Sequence, residues 1–248
     1  IMKKDNTSNS NKITFLQAYP HLVDVFPLPE PGTKNVPQWY KDQPSISGPD
    51  EDTPQNGSFK LTVKKCQAFF DAMSVGYILK VPVDIYVDTT DGKFEIQLPG
   101  EMQRFQQELI AHHSSEQISR FPMDAGIYVN QVFRIHPTWM VKTPPGYSTL
   151  FMQPMHQPPS PLQAVEAIID TDEFFSDGHL SFFVKKNFKG VIKQGTPLAQ
   201  VFPFKREDWS MELDKEWDPE KTNLQRRVVR ATFQNGYRLK FWQKKLFK

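Results

Sequence analysis

The chain has 248 residues, and its 30 basic and 28 acidic residues give it a net charge of +2. Proline is frequent, with 21 residues, which disfavours a helical bundle because proline interrupts helices. The single cysteine, Cys66, excludes a disulfide within the chain and a zinc site built from cysteines. No apolar run approaches the roughly 20 residues that span a bilayer, so we expect no membrane-embedded segment.

The N-terminal part of the chain is polar and then rich in proline. Residues 1–12 lack the apolar stretch of a signal peptide, so the sequence predicts a disordered start and a protein that is not secreted. Six prolines between Phe26 and Pro49 predict an extended, polyproline-like arm. Trp39 and Tyr40 either pin this arm across the domain or reach a neighbouring subunit or another protein. We predict that residues 1–58 are the disordered start and the arm.

The middle of the chain, residues 59–205, is predicted to be a β-rich core domain. A short helix is expected between Val63 and Met73, and a longer one over residues 101–119, where apolar residues recur at helical spacing. Asp91-Gly92 is a hairpin turn signal. Strands are predicted over Tyr77–Asp88, Lys93–Leu98, Tyr128–Ile135, Trp139–Lys142, Thr149–Met152, Val165–Ile169, Leu180–Val184 and Leu198–Phe204. Short strands separated by turns favour a jelly-roll or β-sandwich with a few short helices.

The last part of the chain, residues 206–248, is predicted to be a basic tail with helical and extended parts. Asp218-Pro219 is typical of a helix start. From Pro219 to Lys248 there are nine basic residues and one acid, a net charge of +8, which leaves −6 for the rest of the chain. Because aromatic residues separate these cations, the tail either docks on the acidic body or binds nucleic acid through phosphate contacts and stacking. The residues proposed to form interactions are Trp39, Tyr40, Arg226, Arg227, Arg230 and Trp242.

Three motifs within residues 139–204 resemble, in the same order, motifs of the dUTPase and dCTP-deaminase family. They are the turn Lys142–Tyr147, the run Ile168–Asp172 and the closing strand Lys193–Gln200. The resemblance implies a dUTPase-like β-fold over residues 121–205 and a trimeric assembly.

At the positions that perform catalysis in that family, this chain has different residues. The segment that holds phosphates in the family corresponds to Met152–Gln157, which contains neither arginine nor serine. The tyrosine that stacks on the base is replaced by Glu173-Phe174. The resemblance therefore implies a degenerate active site.

Longer stretches of the chain are similar to a family of uncharacterised proteins from tailed phages. The similar stretches are Pro29–Lys41, Pro144–Phe151 and Gly195–Trp209. This resemblance implies the cytoplasm of a bacterial host cell, or association with a virion, and it gives phage or host proteins as further partners.

The candidate site residues follow from these motifs. Asp170 and Asp172 are the catalytic candidates, since two carboxylates one residue apart on a strand face the same side; alternatively they cap a turn. The candidates for ligand binding are Tyr147, His156 and Gln200. His156, His179 and Asp170 are the metal candidates, as a two-histidine, one-carboxylate set of the kind that holds non-haem iron.

These observations leave three functional hypotheses. The preferred one is a non-catalytic, phage-associated protein that acts through protein–protein association as a homo-oligomer, and we lean against an enzyme. The alternative is a nucleotide-binding or nucleotide-hydrolysing protein, and magnesium is expected only under that hypothesis. The second alternative is a metal-dependent oxygenase on a jelly-roll. We predict no cofactor.

Overall fold

The computed structural model describes residues 11–49, 59–175, 180–231 and 235–248, which form sixteen strands and four α-helices. The strands are β1 Thr14–Gln17, β2 Glu30–Pro31, β3 Ile46–Pro49, β4 Phe59–Leu61, β5 Tyr77–Lys80, β6 Ile85–Asp88, β7 Glu95–Gln97, β8 Ile110–His113, β9 Tyr128–Ile135, β10 Trp139–Lys142, β11 Tyr147–Met152, β12 Leu162–Ala164, β13 Ala167–Ile169, β14 Ser181–Lys185, β15 Lys189–Ile192 and β16 Pro197–Lys205. The α-helices are α1 Gln38–Asp42, α2 Gln67–Ser74, α3 Gln106–Leu109 and α4 Pro219–Ala231. The prediction of a mainly β chain with a few short helices is confirmed.

The chain divides into two compact units. The first contains the described residues through Glu30 together with Ile78–Pro154 and Pro159–Arg206, and the second contains Pro31–Tyr77, Met155–Pro158 and Glu207–Lys248. None of the helices in the described part of the chain is long and apolar enough to cross a membrane.

The strands form five sheets. The largest has the order β13-β11-β16-β5-β2, and β11 pairs antiparallel with both β13 and β16. A four-stranded sheet has the order β12-β14-β9-β8, and a three-stranded sheet has the order β15-β6-β7. The pairs β1-β10 and β3-β4 complete the set. The dUTPase type of this β-architecture stays a prediction.

The core of the first unit is centred on β9 and β14. Phe133 and Phe182 are almost fully buried, with their ring centroids 5.7 Å apart. On β14 the neighbouring residues Ser181 and Phe183 are buried as well. Phe183 packs against Phe121, 5.1 Å away between ring centroids, so both faces of this inner strand are covered.

The hairpin predicted at Asp91-Gly92 is confirmed by the antiparallel pairing of β6 with β7. Both turn residues have a positive φ, 51° for Asp91 and 74° for Gly92, as such turns require. The buried Asp88 carboxylate accepts hydrogen bonds from the Thr90 amide, at 3.0 Å, and from its hydroxyl, at 2.6 Å. This local side-chain bonding fixes the start of the turn.

The long helix predicted over residues 101–119 is wrong. The segment contains a 3₁₀ turn, the four-residue helix α3 and then strand β8, whose Ile110 lies opposite Ile135 of β9. A second 3₁₀ turn follows, started by a capping box in which Ser114 and Gln117 bond each other's backbone. Pairing with β9 buries Ile110 and outweighs the weak helical propensity of the histidine and serine residues between the two turns.

The proline-rich segment between Phe26 and Pro49 is not uniformly extended. It contains a 3₁₀ turn, Gly32–Asn35, directly after Pro31, and helix α1 directly after Pro37. A proline at a helix start lacks only an amide that has no partner within the helix, and its φ is already helical. These prolines therefore begin short helices and do not prevent them.

The second unit has a small aromatic core around α2. Tyr40 and Met73 are buried together with Val36, and Phe69 and Phe70 pack against them. Next to this core the Gly32 amide donates to the Gly76 carbonyl at 2.9 Å. A Cβ on Gly32 would lie 2.8 Å from the carbonyl carbon and oxygen of Ser74, so this close approach of two backbones requires glycine.

We predict that Gly32→Ala lowers the free energy of unfolding by about 1–3 kcal/mol, because the added methyl forces the backbone of Ser74 to move. Gly48→Ala is the matched control, since a Cβ at Gly48 meets nothing within 4 Å. Urea unfolding of both variants measures the difference. Equal unfolding midpoints for the two variants would contradict the close approach.

Candidate functional site

The two candidate catalytic aspartates lie on a turn that follows strand β13. The amides of Glu173 and Phe174 donate to the Asp170 carbonyl at 3.1 and 2.8 Å, which closes the turn directly after Ile169. The strand alternation that would place Asp170 and Asp172 on one side does not extend this far.

Arg206 brings the two aspartates together. Its Nη1 and Nη2 atoms donate to Oδ1 and Oδ2 of Asp172 at 2.9 and 2.5 Å, a bidentate pair of the strong kind. Its Nη1 atom also lies 3.3 Å from Oδ1 of Asp170. The Arg206 amide donates to the Gly146 carbonyl at 2.8 Å, so the register of β16 with β11 places the guanidinium at this point.

Further donors occupy the same carboxylates. The Gly146 amide donates to Oδ2 of Asp172 at 2.7 Å, and the Ser148 hydroxyl donates to Oδ1 of Asp170 at 2.6 Å. Between the two aspartates the chain is held by buried hydroxyls, since Oγ1 of Thr171 lies 2.8 Å from that of Thr143 and 2.7 Å from that of Thr149. Three successive side chains of the turn after β13, those of residues 170–172, therefore form hydrogen bonds to other parts of the first unit.

The two aspartates differ in their access to solvent. The Asp172 side chain is 3% exposed and the Asp170 side chain is 62% exposed. The hydrogen bond from Arg206 lowers the pKa of Asp172 to about 2, and the same contact raises the pKa of Arg206. Asp172 is thus a paired, ionised carboxylate at neutral pH, and both of its oxygens are already bonded.

The Asp172–Arg206 pair alone does not provide a catalytic or a metal site. Catalysis would need a carboxylate oxygen that is free to accept a proton, and metal binding would need further ligands. A protein metal site usually draws on three or more convergent ligands. Within the described ranges, no group of three histidine, cysteine, aspartate or glutamate side chains is placed to hold a metal ion. Asp170 is the carboxylate of this cluster that solvent reaches.

The other predicted site residues lie at different places. Arg206 with Asp170, Asp172 and Ser148 forms what we call the arginine cluster. Tyr147 belongs to this cluster, because its carbonyl accepts a hydrogen bond from Nη1 of Arg206 at 3.0 Å. Gln200 is fully buried on β16, opposite Met152 of β11. His156 belongs to the second unit, whereas Asp170 belongs to the first. The metal candidate His179 lies outside the described residues.

His156 takes part in an aromatic cluster with the residues predicted to anchor the arm. Its ring stacks on Phe69 with 3.8 Å between centroids and an angle of 19° between planes. Its carbonyl accepts a hydrogen bond from Nε1 of Trp39 at 2.9 Å. Tyr40 is buried beside Phe69, whereas Trp39 is 38% exposed. Trp39 and Tyr40 therefore help to build the second unit.

The basic tail forms contacts within the second unit. Asp71 of α2 accepts hydrogen bonds on Oδ2 from Nε1 of Trp242 at 2.8 Å and from Nζ of Lys245 at 2.7 Å. Burial raises the pKa of Asp71, but the hydrogen bonds from Lys245, Trp242 and Gln67 together lower it below its usual value. Trp242, predicted to form interactions, thus docks the chain end on α2.

The predicted basic residues of α4 border a cavity. A cavity of about 610 Å³ is lined by Arg226 and Arg230 together with Val229, Tyr237 and Phe241. The third predicted arginine, Arg227, is exposed and does not line this cavity.

Two features were not identified from the sequence. One is Arg206, whose pairing depends on the register of β16 with β11. The other is the segment Glu207–Trp217, in which Trp209, Met211 and Leu213 are exposed. The signal in the sequence is the alternation of these apolar residues with polar ones.

No protein-family model, curated protein or solved structure matches this chain.

We predict that Asp172→Asn removes part of the acid sensitivity of the fold. The Asp172 pKa is about 2 in the folded chain and about 3.9 when unfolded, so its ionised form stabilises the fold above pH 4. That stability is lost as the pH falls from about 4 to about 2. Urea unfolding at a series of pH values should show a shallower loss for Asp172→Asn than for Asp170→Asn. Identical slopes in the two variants would contradict the assigned pairing.

Proposed function

We propose that this chain is a non-catalytic protein that acts by associating with copies of itself, on a β-fold of the dUTPase type, in a phage-infected bacterial cell. One observation is the main support, the exposure of large apolar side chains along the segment Glu207–Trp217. We refer to this stretch as the acidic segment.

The acidic segment exposes large apolar side chains to an unusual degree. The exposed fractions are 88% for Trp209, 88% for Met211, 73% for Leu213 and 53% for Trp217. Single exposed apolar residues are normal, but several in one short stretch mark an interaction site. Burying side chains of this size is worth roughly 1.5–3 kcal/mol each, which a partner surface would supply.

The charges of the acidic segment support the same function. Residues 207–217 contain five carboxylates and one lysine, a net charge of −4, whereas the chain from Pro219 onwards has a net charge of +8. Opposite charges on two parts of one chain let copies attract each other and orient their contact. Because every copy has a negative segment and a positive tail, each copy can attract another copy at two places.

The arginine cluster of the first unit supports a non-catalytic function. A general base needs a carboxylate with a free acceptor position near the substrate. Both oxygens of Asp172 are bonded by Arg206, and the Gly146 amide adds a third bond. We propose that Asp170 and Asp172 join the turn after β13 to the end of β16 and do no chemistry.

A nucleotide-binding function is the second candidate, and one observation favours it. The Asp170 carboxylate is 62% exposed and lies beside the guanidinium of Arg206, so a cation and a carboxylate face solvent together. An exposed pair of this kind is suited to polar ligands, including nucleotides, if the pair opens.

We predict that the chain self-associates at micromolar concentration and that Trp209→Ser combined with Met211→Ser weakens this association. The reason is the loss of the two most exposed apolar side chains of the acidic segment. Sedimentation velocity over a concentration series measures the self-association of the wild type and of the double variant. Leu28→Ser is the control, since Leu28 is 63% exposed but lies outside the segment. A wild-type chain that stays monomeric throughout would overturn the proposed function.

We predict no selective thermal shift with a panel of deoxynucleotides and ribonucleotides, with or without Mg²⁺. A ligand at about 100 times its dissociation constant would stabilise the fold by roughly 2.7 kcal/mol, which such a panel detects. A selective shift that disappears in Asp170→Asn would establish the second candidate function in place of the first.

A further inference from the structure

A second cavity adjoins the cavity that Arg226 and Arg230 line. It measures about 240 Å³, and the two cavities share Val229 and Tyr237 in their linings. Its other lining includes Lys65, Cys66 and Arg238. We call the two together the basic groove.

The lining of the basic groove combines apolar and cationic side chains. Val229, Tyr237 and Phe241 are the apolar part, and Tyr237 and Phe241 are 39% and 40% exposed. The cations are Arg226 and Arg230 in the larger cavity, as well as Lys65 and Arg238 in the smaller one. A matching ligand therefore has both apolar groups and negative charges.

The acidic segment has these properties. The segment forms neither helix nor strand, and its residues 207–217 are all exposed. When such a chain is extended, Trp209, Met211 and Leu213 point to one side because side chains alternate. The carboxylates lie between and beyond these apolar residues, where the long, flexible side chains of the arginines and lysine in the groove lining can reach them.

We propose that the acidic segment of one copy binds in the basic groove of a second copy. This proposal rests on the proposed function and names the surfaces that perform it. Each copy has one segment and one groove, so a two-fold dimer or a closed ring, including the trimer implied by the fold resemblance, uses every segment and every groove.

The structure favours a second copy over the segment's own groove. Nε1 of Trp217 donates to Oγ1 of Thr222 at 2.9 Å, and Nζ of Lys221 lies 5.7 Å from the centroid of the Trp217 ring. These contacts hold the end of the segment at the first turn of α4. Trp209 and Met211 are nevertheless 88% exposed, so the segment does not fill the groove of its own chain.

The test uses charge reversal on each side of the contact. Glu212→Lys with Asp214→Lys reverses two charges of the segment, and Arg226→Glu with Arg230→Glu reverses two charges of the groove. Since like charges then face each other, we expect each variant to self-associate at least about tenfold more weakly than the wild type. An equal mixture of the two variants should associate again, and so should one chain with all four changes. Sedimentation velocity measures each sample, and unchanged thermal midpoints confirm that the variants fold.

A matched control lies on the same helix. Arg227 is exposed on α4 but does not line the groove, so Arg227→Glu should weaken association less than a single Arg226→Glu change. Equal effects of the two single changes would contradict the proposed contact with the groove, and they would indicate only a general effect of charge on association.

Other outcomes identify the alternatives. If the wild type associates and both reversed variants associate equally well, the groove contact is wrong while the proposed function stands. If the wild type is monomeric, the proposed function itself fails. Recovery in the four-change chain but not in the mixture would show that the segment binds its own groove. Loss of binding to a single-stranded oligonucleotide in the groove variant, with association unchanged, would assign the groove to nucleic acid instead.

Discussion

The pair between Arg206 and Asp172 is the constraint on which the arrangement of the first unit's sheet edge depends. It joins the end of β16 to the turn after β13, and the Gly146 amide adds the turn before β11 to the same carboxylate. Because Asp172 is buried, removing the guanidinium would leave an unpaired buried charge, which is costly. Arg206 is also the last residue of the first unit, and the acidic segment begins with the next residue.

Beyond Arg206 an acidic stretch precedes a basic one, with a net charge of −4 over residues 207–217 and of +8 from Pro219 onwards. The acidic segment has the aromatic and apolar residues that a core would bury, yet they are exposed, and the following helix α4 is exposed along most of its length. A helix with few buried contacts gains little from packing within its own chain. Contact between the acidic segment and the basic groove of another copy covers both surfaces with one interaction, and it neutralises opposite charges.

Much of the β-structure could be predicted from the sequence, because local patterns determine it. The strand Tyr128–Ile135 and the helix start at Pro219 follow from apolar spacing and capping residues, and both are confirmed. The helix predicted over residues 101–119 failed because pairing with β9 is a long-range interaction that local propensity does not include. Arg206 was missed for the same reason, since its partner Asp172 is 34 residues away in the chain.

Cysteine cross-linking tests the central claim most directly, because Cys66 lines the basic groove and is the only cysteine of the chain. Trp209, Met211 and Leu213 are replaced by cysteine, one at a time, in chains that also have Cys66→Ser and a mass tag. Each is mixed with the untagged wild-type chain and treated with a short bismaleimide. We expect a covalent species of tagged and untagged chain for at least one position, and none when the cysteine replaces Leu28. If no position yields that species although the wild type self-associates, the acidic segment does not bind in the basic groove.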